Sequence, residues 1–287
     1  MEISEKSNKK GLNILDLPEG CLSHILSLTS PLYILRCSLV CKLFYSLSKS
    51  NLVWDQFLPS DLDQNFIRRS FSFSDKKHLV LYLCRSFILL QEGTKSVSLD
   101  KWTGKKCYML GARELAIYGS DYPNCWKWNR LTDARFPEVA ELLGVSHLQI
   151  TGKIRTQLLS PNTTYHAYFC FKLRSWSRGF DVCPVKVSVS MIDPKGAYLA
   201  GSSSNITRTF YLKAQEFDTS RLDILDDEET FVSGRDNDER WVKIDMGKYF
   251  NSSDNNVALL EMMLTGPDLG FIKSGLIVHG IELLPLC

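Results

Sequence analysis

The chain has 287 residues, of which 44% are hydrophobic and 23% are charged, a composition typical of folded globular proteins. Its formal net charge of +2 gives no electrostatic reason to expect a nucleic acid or a membrane surface as a partner. No run approaches the roughly eighteen apolar residues that a membrane-spanning helix needs. Residues 1–12 are polar and lack the apolar stretch of a secretory signal, so they are predicted to form a flexible tail.

Nine cysteines are scattered along the chain, and none forms the Cys-x-x-Cys pair of a zinc ribbon or a redox site. Cys37 and Cys41 are four residues apart and are predicted to share one helix face, with no histidine placed to complete a metal site. We interpret the nine as reduced thiols in a cytoplasmic or nuclear protein that holds no metal and no cofactor.

Residues 17–58 have the pattern of a small helical unit. Pro18 and Ser30-Pro31 are helix-start signals. From Leu32 to Leu47, apolar residues recur at the 3.6-residue period of one amphipathic helix, and Asn51 can cap a further short helix. Because apolar positions nearly surround each helix, about forty residues cannot bury them alone. The unit therefore needs a partner, which is either the core of this same chain or another protein.

The next segment is predicted to connect the helical unit to a second domain. Ser74 is predicted to cap a helix that runs from Asp75 to about Arg85. A hairpin is predicted from the alternating residues 96–102 and 107–110, with its turn near Gly104. The predicted divisions are a tail at 1–12, the helical unit at 13–60, a helical linker at 61–95 and a β domain at 96–287.

Past residue 100 the chain has the pattern of short strands separated by turns. Candidate strands lie at residues 148–158, 165–173, 185–192, 207–212, 241–246, 257–264 and 276–284. One helix is predicted at residues 137–143, with Pro137 as its start and Gly144 as its stop. Many strands with one helix favour a β-sandwich of the jelly-roll type. The whole chain is therefore predicted to be α+β, helical first and mainly β afterwards.

Residues 216–240 are the most biased segment, because they are acidic and poor in aromatic side chains. We interpret them as a solvated loop rather than an acidic recognition element. Trypsin is expected to cut such a loop early, at Arg221, Arg235 or Arg240.

One series of residues in the helical unit has a family resemblance. In order, the series is Leu17-Pro18, Ile25-Leu26-Leu28, Leu35, Leu39-Val40-Cys41-Lys42, and Leu52 with Trp54. It resembles an F-box, the motif by which substrate receptors dock on the Skp adaptor of cullin–RING ubiquitin ligases. The resemblance implies that the adaptor is bound by Leu17, Pro18, Ile25, Leu26, Leu28, Leu35, Val40, Cys41, Lys42 and Trp54. Tyr33 stands where the family often has an acidic residue, which implies adjusted docking.

The C-terminal region carries a second series of motifs. They include Gly104-Lys105-Lys106-Cys107, Trp126-Lys127-Trp128, Pro161-Asn162-Thr163-Thr164-Tyr165 and residues 184–189, 241–250 and 273–282. The series resembles the phloem-protein-two lectins, the Nictaba-like family of plants, over about two-thirds of the chain. The resemblance implies a lectin-like β-sandwich, and its founding members bind glycans that contain N-acetylglucosamine. An F-box followed by this domain is a known plant combination.

A sugar site needs exposed aromatic faces and a few carboxylates or amides. The candidate residues, held together by a turn at Pro123, are Asp121, Tyr122, Trp126 and Trp128. The alternative is that both tryptophans belong to the core, which we prefer for Trp128. Gly119 stands where the sugar-binding lectins have a tryptophan. We therefore predict weak glycan affinity and a target that is recognised mainly as a protein.

No catalytic residue is predicted, because the common nucleophile, phosphate-loop, dinucleotide and zinc-protease motifs are absent from the sequence. The working hypothesis is a non-catalytic substrate-recognition subunit of a Skp–cullin–F-box ubiquitin ligase. Its partners would be a Skp-family adaptor, through it the cullin and RING subunits, and an unidentified target protein marked for proteasomal degradation. The alternative is a free lectin of the cytoplasm or nucleus.

Overall fold

The computed structural model describes residues 14–60, 62, 75–198, 207–213, 230–233, 241–253 and 258–286. Within these residues a group of short helices is followed by a β-sandwich of two sheets. The predicted α+β fold, helical first and mainly β afterwards, is confirmed.

Five α-helices lie among the described residues, and four of them form the N-terminal unit. Their bounds are α1 Glu19–Ser27, α2 Pro31–Ser38, α3 Lys42–Leu47, α4 Asn51–Trp54 and α5 Lys76–Leu83. Helix α2 begins at the predicted signal, since Pro31 occupies its first turn and the Ser30 side chain accepts a hydrogen bond from the Tyr33 amide at 3.4 Å.

The prediction of a single helix from Leu32 to Leu47 is wrong, because the helix is interrupted between α2 and α3. Helix α2 ends at Ser38, whose hydroxyl donates to the Leu35 carbonyl oxygen at 2.7 Å. Such side-chain bonds to the backbone compete with continuation of a helix. Cys41 then has extended backbone angles and caps α3. Cys37 therefore lies in α2 and Cys41 in the extended backbone before α3, so the two do not share one helix face.

Helix α5 confirms the helix predicted after residue 75, with a different cap. The Asp75 carboxylate accepts a hydrogen bond from the His78 amide at 2.8 Å, whereas Ser74, the predicted cap, lies outside the described residues. The range 61–95, predicted as a helical linker, also contains strand β1 at Ile88–Leu90. The β domain thus begins before residue 96.

The sandwich consists of two mainly antiparallel sheets. The other strands are β2 Lys95–Leu99, β3 Lys106–Gly111, β4 Ala116–Ile117, β5 Trp126–Asn129, β6 Val139–Leu142, β7 Leu148–Arg155, β8 Thr163–Arg178, β9 Val185–Ile192, β10 Arg208–Lys213, β11 Thr230–Ser233, β12 Val242–Asn251, β13 Leu259–Gly266 and β14 Ser274–Pro285. The first sheet has the order β1-β2-β3-β14-β6-β5. Two further strands join it through β14, since β8 pairs with β14 and β12 pairs with β8. The second sheet has the order β11-β10-β9-β13-β7-β4. The predicted hairpin is confirmed as β2–β3.

Strand β14 is the centre of the first sheet, because β3 and β6 pair with one of its edges and β8 with the other. At Gly280 the backbone φ is +157°, and an added Cβ would overlap the Leu110 carbonyl oxygen of β3. Only glycine allows this close approach of the two strands.

Strand β6 corrects the helix predicted at residues 137–143. All four residues of Val139–Leu142 are buried, and the strand pairs with β5 on one edge and β14 on the other. The flanking proline and glycine are compatible with a helix. Pairing on both edges gives hydrogen-bond partners to the buried backbone amides and carbonyls of the strand. This tertiary context overrides the local helix signal.

Strand β11 lies inside the acidic segment that was predicted as a solvated loop. Residues 230–233 pair in parallel with β10, so this part of the prediction is wrong. The expected trypsin sites Arg221, Arg235 and Arg240 lie outside the described residues.

The helical unit and the sandwich share one hydrophobic core. Trp54 is fully buried, and α5 packs against both α4 and β2. The β2–β3 turn contacts the helices at Gly104, where φ is +71° and an added Cβ would approach Pro31 Cδ to 2.5 Å and the Phe57 ring to 2.8 Å. The core of this same chain therefore covers one part of the apolar surface of the helices, as the first of the two predicted alternatives requires.

Candidate functional site

The helical unit leaves several large apolar side chains exposed. We call this surface the helical face and define it by Leu28, Tyr33, Leu39, Val40 and Leu52. Leu39 and Val40 occupy the break between α2 and α3 and are 87% and 73% exposed. Exposed apolar residues gathered on one small unit mark an interaction surface. The second alternative, another protein as a partner, therefore fits this face.

The residues predicted to bind an adaptor divide into an exposed and a buried group. Exposed or half-buried are Leu17, Pro18, Ile25, Leu28, Leu35, Val40, Cys41 and Lys42. Leu26 and Trp54 are only 4% and 0% exposed, and the Trp54 indole nitrogen donates to the Ser48 carbonyl oxygen at 2.9 Å. Their prediction as adaptor contacts is wrong, because they form the core on which the helices are built. Tyr33, Leu39 and Leu52 were not proposed as contacts.

A second exposed apolar surface lies at one end of the sandwich. We call it the apolar end and define it by Tyr122, Leu143, Trp176, Phe271 and Ile272, all exposed. The Leu143 amide donates to the Cys125 carbonyl oxygen at 2.8 Å, and the Cys125 amide to that of Tyr122 at 2.9 Å. A Cβ added at Gly144 would lie 3.3 Å from the Ile272 side chain. These contacts join the segments that carry Tyr122, Leu143 and Ile272.

Lys273 anchors the loop that carries Phe271 and Ile272. Its side chain is fully buried, and Nζ donates to the carbonyl oxygens of Ser146 at 3.1 Å and Pro267 at 2.8 Å. A buried ammonium needs such acceptors to offset its lost hydration. Its backbone also pairs with Val145 in both directions. The loop between β13 and β14 is thereby tied to the loop between β6 and β7.

The predicted sugar-binding residues are not arranged as an open aromatic platform. Trp126 is 2% exposed, and its indole nitrogen donates to the Tyr118 carbonyl oxygen at 3.1 Å. Trp126 is therefore a core residue, and its prediction as a stacking face is wrong. Trp128 is half-buried and covered by the Arg113 guanidinium, 3.5 Å from the ring centroid. Asp121 and Tyr122 are exposed, as a contact residue would be.

Burial shifts the pKa of some titratable groups inside the sandwich. It raises the pKa of the Cys107 thiol to about 12, with the nearby carboxylates of Asp100 and Glu282 adding to the effect, and that of the Cys170 thiol to about 12, with Glu282 adding to the effect. It lowers the pKa of His279 to about 3, together with the positive charge of Arg135. Neutral His279 accepts a hydrogen bond from the Arg135 amide at 2.9 Å. In the described part of the chain no group of three or more potential ligands is placed to hold a metal ion.

His279 is expected to make the protein less stable in acid. Its folded pKa of about 3 lies below the unfolded value near 6.5, so its contribution is complete above pH 6.5 and declines as the pH falls toward 3. At pH 5 the loss from this residue should be about 2 kcal/mol. Urea unfolding at pH 7.5 and pH 5 measures it, with His279→Gln as the variant that should lose less stability between the two pH values. An equal loss in both proteins would contradict the assignment.

The described residues define an interaction protein, in which an apolar helical face and an apolar sandwich end are built around one core. The family model for Phloem protein 2 matches residues 105–285, and that for the F-box domain matches residues 14–56. The chain belongs to the F-box proteins that carry a Phloem protein 2 domain, which confirms the resemblance seen in the sequence. None of its described helices is long and apolar enough to cross a membrane.

Relatives that align with nearly the whole chain are found in Arabidopsis thaliana. "Putative F-box protein PP2-B12" is 36% identical over 278 residues, which cover 96% of this chain and 98% of the relative. "F-box protein VBF" is 31% identical over 280 residues, which cover 94% and 98%. Among solved structures, a Podospora anserina GH26-CBM35 β-(1,4)-mannanase aligns with a TM-score of 0.32 and 8% identity over 63% of this chain and 28% of that chain. That likeness is too low to carry an argument.

Proposed function

We propose that this protein is the substrate-recognition subunit of a Skp–cullin–F-box ubiquitin ligase in the cytoplasm or nucleus. The helical face docks on a Skp-family adaptor, which links the chain to the cullin and RING subunits. The sandwich holds a target protein for ubiquitination and proteasomal degradation. The observation that carries the proposal is the helical unit, in which Leu26 and Trp54 are buried in the chain's own core while Leu39 and Val40 remain exposed.

In this role the chain needs no catalytic residue of its own. A receptor raises the rate of ubiquitin transfer by holding the target close to, and oriented toward, the conjugating enzyme that the RING subunit recruits. The raised pKa values of the Cys107 and Cys170 thiols fit this role, since both sulfurs stay protonated near neutral pH.

Reconstitution tests the receptor role. The full chain, mixed with a purified Skp-family adaptor, a cullin and a RING subunit, is expected to elute as one complex in size-exclusion chromatography. Omitting the adaptor should leave the chain and the cullin in separate fractions. A chain that elutes alone from the complete mixture would favour the free lectin instead.

We further propose that the apolar end recognises its target as a protein surface, with weak glycan affinity. A protein partner can cover the whole patch, including Trp176, Phe271 and Ile272, whereas a sugar ring needs flat aromatic faces at a few points. Burial of Trp126 removes one such face. Gly119, which stands where the sugar-binding lectins have a tryptophan, supplies no side chain for a second face.

A glycan array followed by calorimetry on the full chain separates protein from sugar recognition. Chitin oligomers and N-glycan cores are expected to bind at best in the millimolar range, about −4 kcal/mol. Tyr122→Ala serves as the surface variant, because this ring is exposed and its loss should not disturb the fold. Micromolar binding that Tyr122→Ala abolishes would restore the lectin.

A further inference from the structure

A half-open cavity of about 350 Å³ lies on the sandwich, and its lining shares no residue with those that define the two apolar surfaces. Its lining includes Glu92, Gly93, Gly111, Arg113, Phe136 and Glu138. We propose that this cavity binds a cationic side chain, arginine or lysine, of a partner protein. The proposal concerns the cavity itself and does not depend on the ubiquitin-ligase role.

The floor of the cavity is apolar and fixed. Phe136 is 3% exposed, and its ring contacts the His279 ring edge-on at 5.6 Å. Gly111 keeps the floor open, because an added Cβ there would lie 2.8 Å from the Phe136 ring and 2.9 Å from the Thr94 carbonyl oxygen. Such a floor suits the methylene stem of a long basic side chain, which packs on apolar surface while its charged end stays polar.

The charges around the cavity favour a cation over an anion. Arg113 is already occupied, since Nε donates to Glu138 Oε2 at 2.8 Å and the guanidinium covers the Trp128 ring. Glu92 adds a second carboxylate to the lining. With two carboxylates and one guanidinium the lining carries a formal charge of −1. An entering cation is therefore attracted, whereas an anion would have to displace Glu138 from Arg113.

The rim that carries Glu92 has an unusual backbone. Gln91, Glu92 and Gly93 have consecutive φ values of +48°, +56° and +87°. This left-handed region is costly for residues other than glycine. A Cβ added at Gly93 would also lie 3.1 Å from Pro137 Cγ, so the rim packs closely against the opposite side. The packed rim places Glu92 at the cavity before any partner arrives.

The test is a titration of the full chain, followed by amide NMR, with Nα-acetyl-arginine amide as the probe. Nα-acetyl-norleucine amide and Nα-acetyl-glutamate amide are the comparison probes. The arginine probe is expected to shift the Gly93 and Gly111 amides saturably, and the glutamate probe to leave them unchanged. Glu92→Gln should weaken the arginine probe about fivefold, which corresponds to ~1 kcal/mol.

Glu19→Gln is the matched control, because Glu19 is an exposed glutamate on α1 and outside the cavity lining. It should leave the affinity for the arginine probe unchanged. Three results would each overturn the proposal: equal shifts with all three probes, tighter binding of the glutamate probe, or an unchanged affinity in Glu92→Gln. An absence of saturable shifts at the solubility limit of the arginine probe would also overturn it.

Discussion

Replacing Leu39 and Val40 together with aspartate is expected to weaken binding of the Skp-family adaptor by at least about 100-fold, or ~3 kcal/mol. Both side chains are exposed in this chain and would be covered in the complex. A carboxylate placed in an apolar interface loses its hydration without gaining a partner. Calorimetry with the purified adaptor measures the change.

The same double substitution should leave the fold intact, because neither side chain contributes to the chain's own core. The matched control is Phe271→Asp with Ile272→Asp, which places the same charges on the apolar end and should keep full adaptor affinity. Leu17→Ala with Pro18→Ala tests the start of α1 and should also lose binding. Adaptor affinity that survives the Leu39 and Val40 changes would mean that the helical face is not the docking surface.

Trp54→Ala is expected to destabilise the whole chain by about 3–5 kcal/mol and to lower its melting temperature by roughly 10 °C. The indole is fully buried where α4 meets the rest of the core, and its hydrogen bond to Ser48 would also be lost. Because the helices and the sandwich share one core, the change should appear in a single cooperative transition. Thermal and urea unfolding measure it.

Leu52→Ala is the control for this prediction, since Leu52 lies on the same short helix but is exposed. It should change stability by less than about 0.5 kcal/mol. Two separate transitions, with only the helical one shifted by Trp54→Ala, would contradict a shared core. For the same reason, a fragment of residues 95–287 should be less stable than the full chain, because it lacks β1 and α5.

The elements that the sequence predicted well are those with a local signal. Strand β9 shows this best, because Val185, Val187 and Val189 alternate with less buried residues and the observed bounds agree with the predicted ones. Ser30 and Pro31 likewise locate the start of α2, since a cap and a first-turn proline act within one turn.

The elements that were missed depend on residues far apart in the chain. Strand β6 pairs with β5 on one edge and with β14 on the other. The paired residues of β14 lie more than a hundred positions later in the chain. No local sequence pattern indicates the pairing with β14. Lysine is almost never fully buried in proteins, yet the Lys273 ammonium is buried against the carbonyl oxygens of Ser146 and Pro267. Burial of Lys273 could not be derived without the fold.

The candidate sites follow the same division. The apolar period of the helices predicted that a partner would cover them, but it could not tell which residues face the core. Leu26 and Trp54 are buried in the chain's own core, whereas Leu39 and Val40 are exposed at the break between Ser38 and Lys42. Trp126 was misassigned similarly, since an aromatic residue suits both a core and a binding face.

Quantitative mass spectrometry of proteins recovered with the tagged full chain tests the two-surface receptor most directly. Plant cells with the proteasome inhibited would express the unchanged chain, the Leu39→Asp/Val40→Asp variant, or the Phe271→Asp/Ile272→Asp variant. The unchanged chain is expected to recover the adaptor, the cullin and a set of target proteins. The first variant should lose the adaptor and cullin but keep the targets, and the second should do the reverse. If the unchanged chain recovers no adaptor, or if both variants lose the same proteins, the protein is not a receptor with two separate binding surfaces.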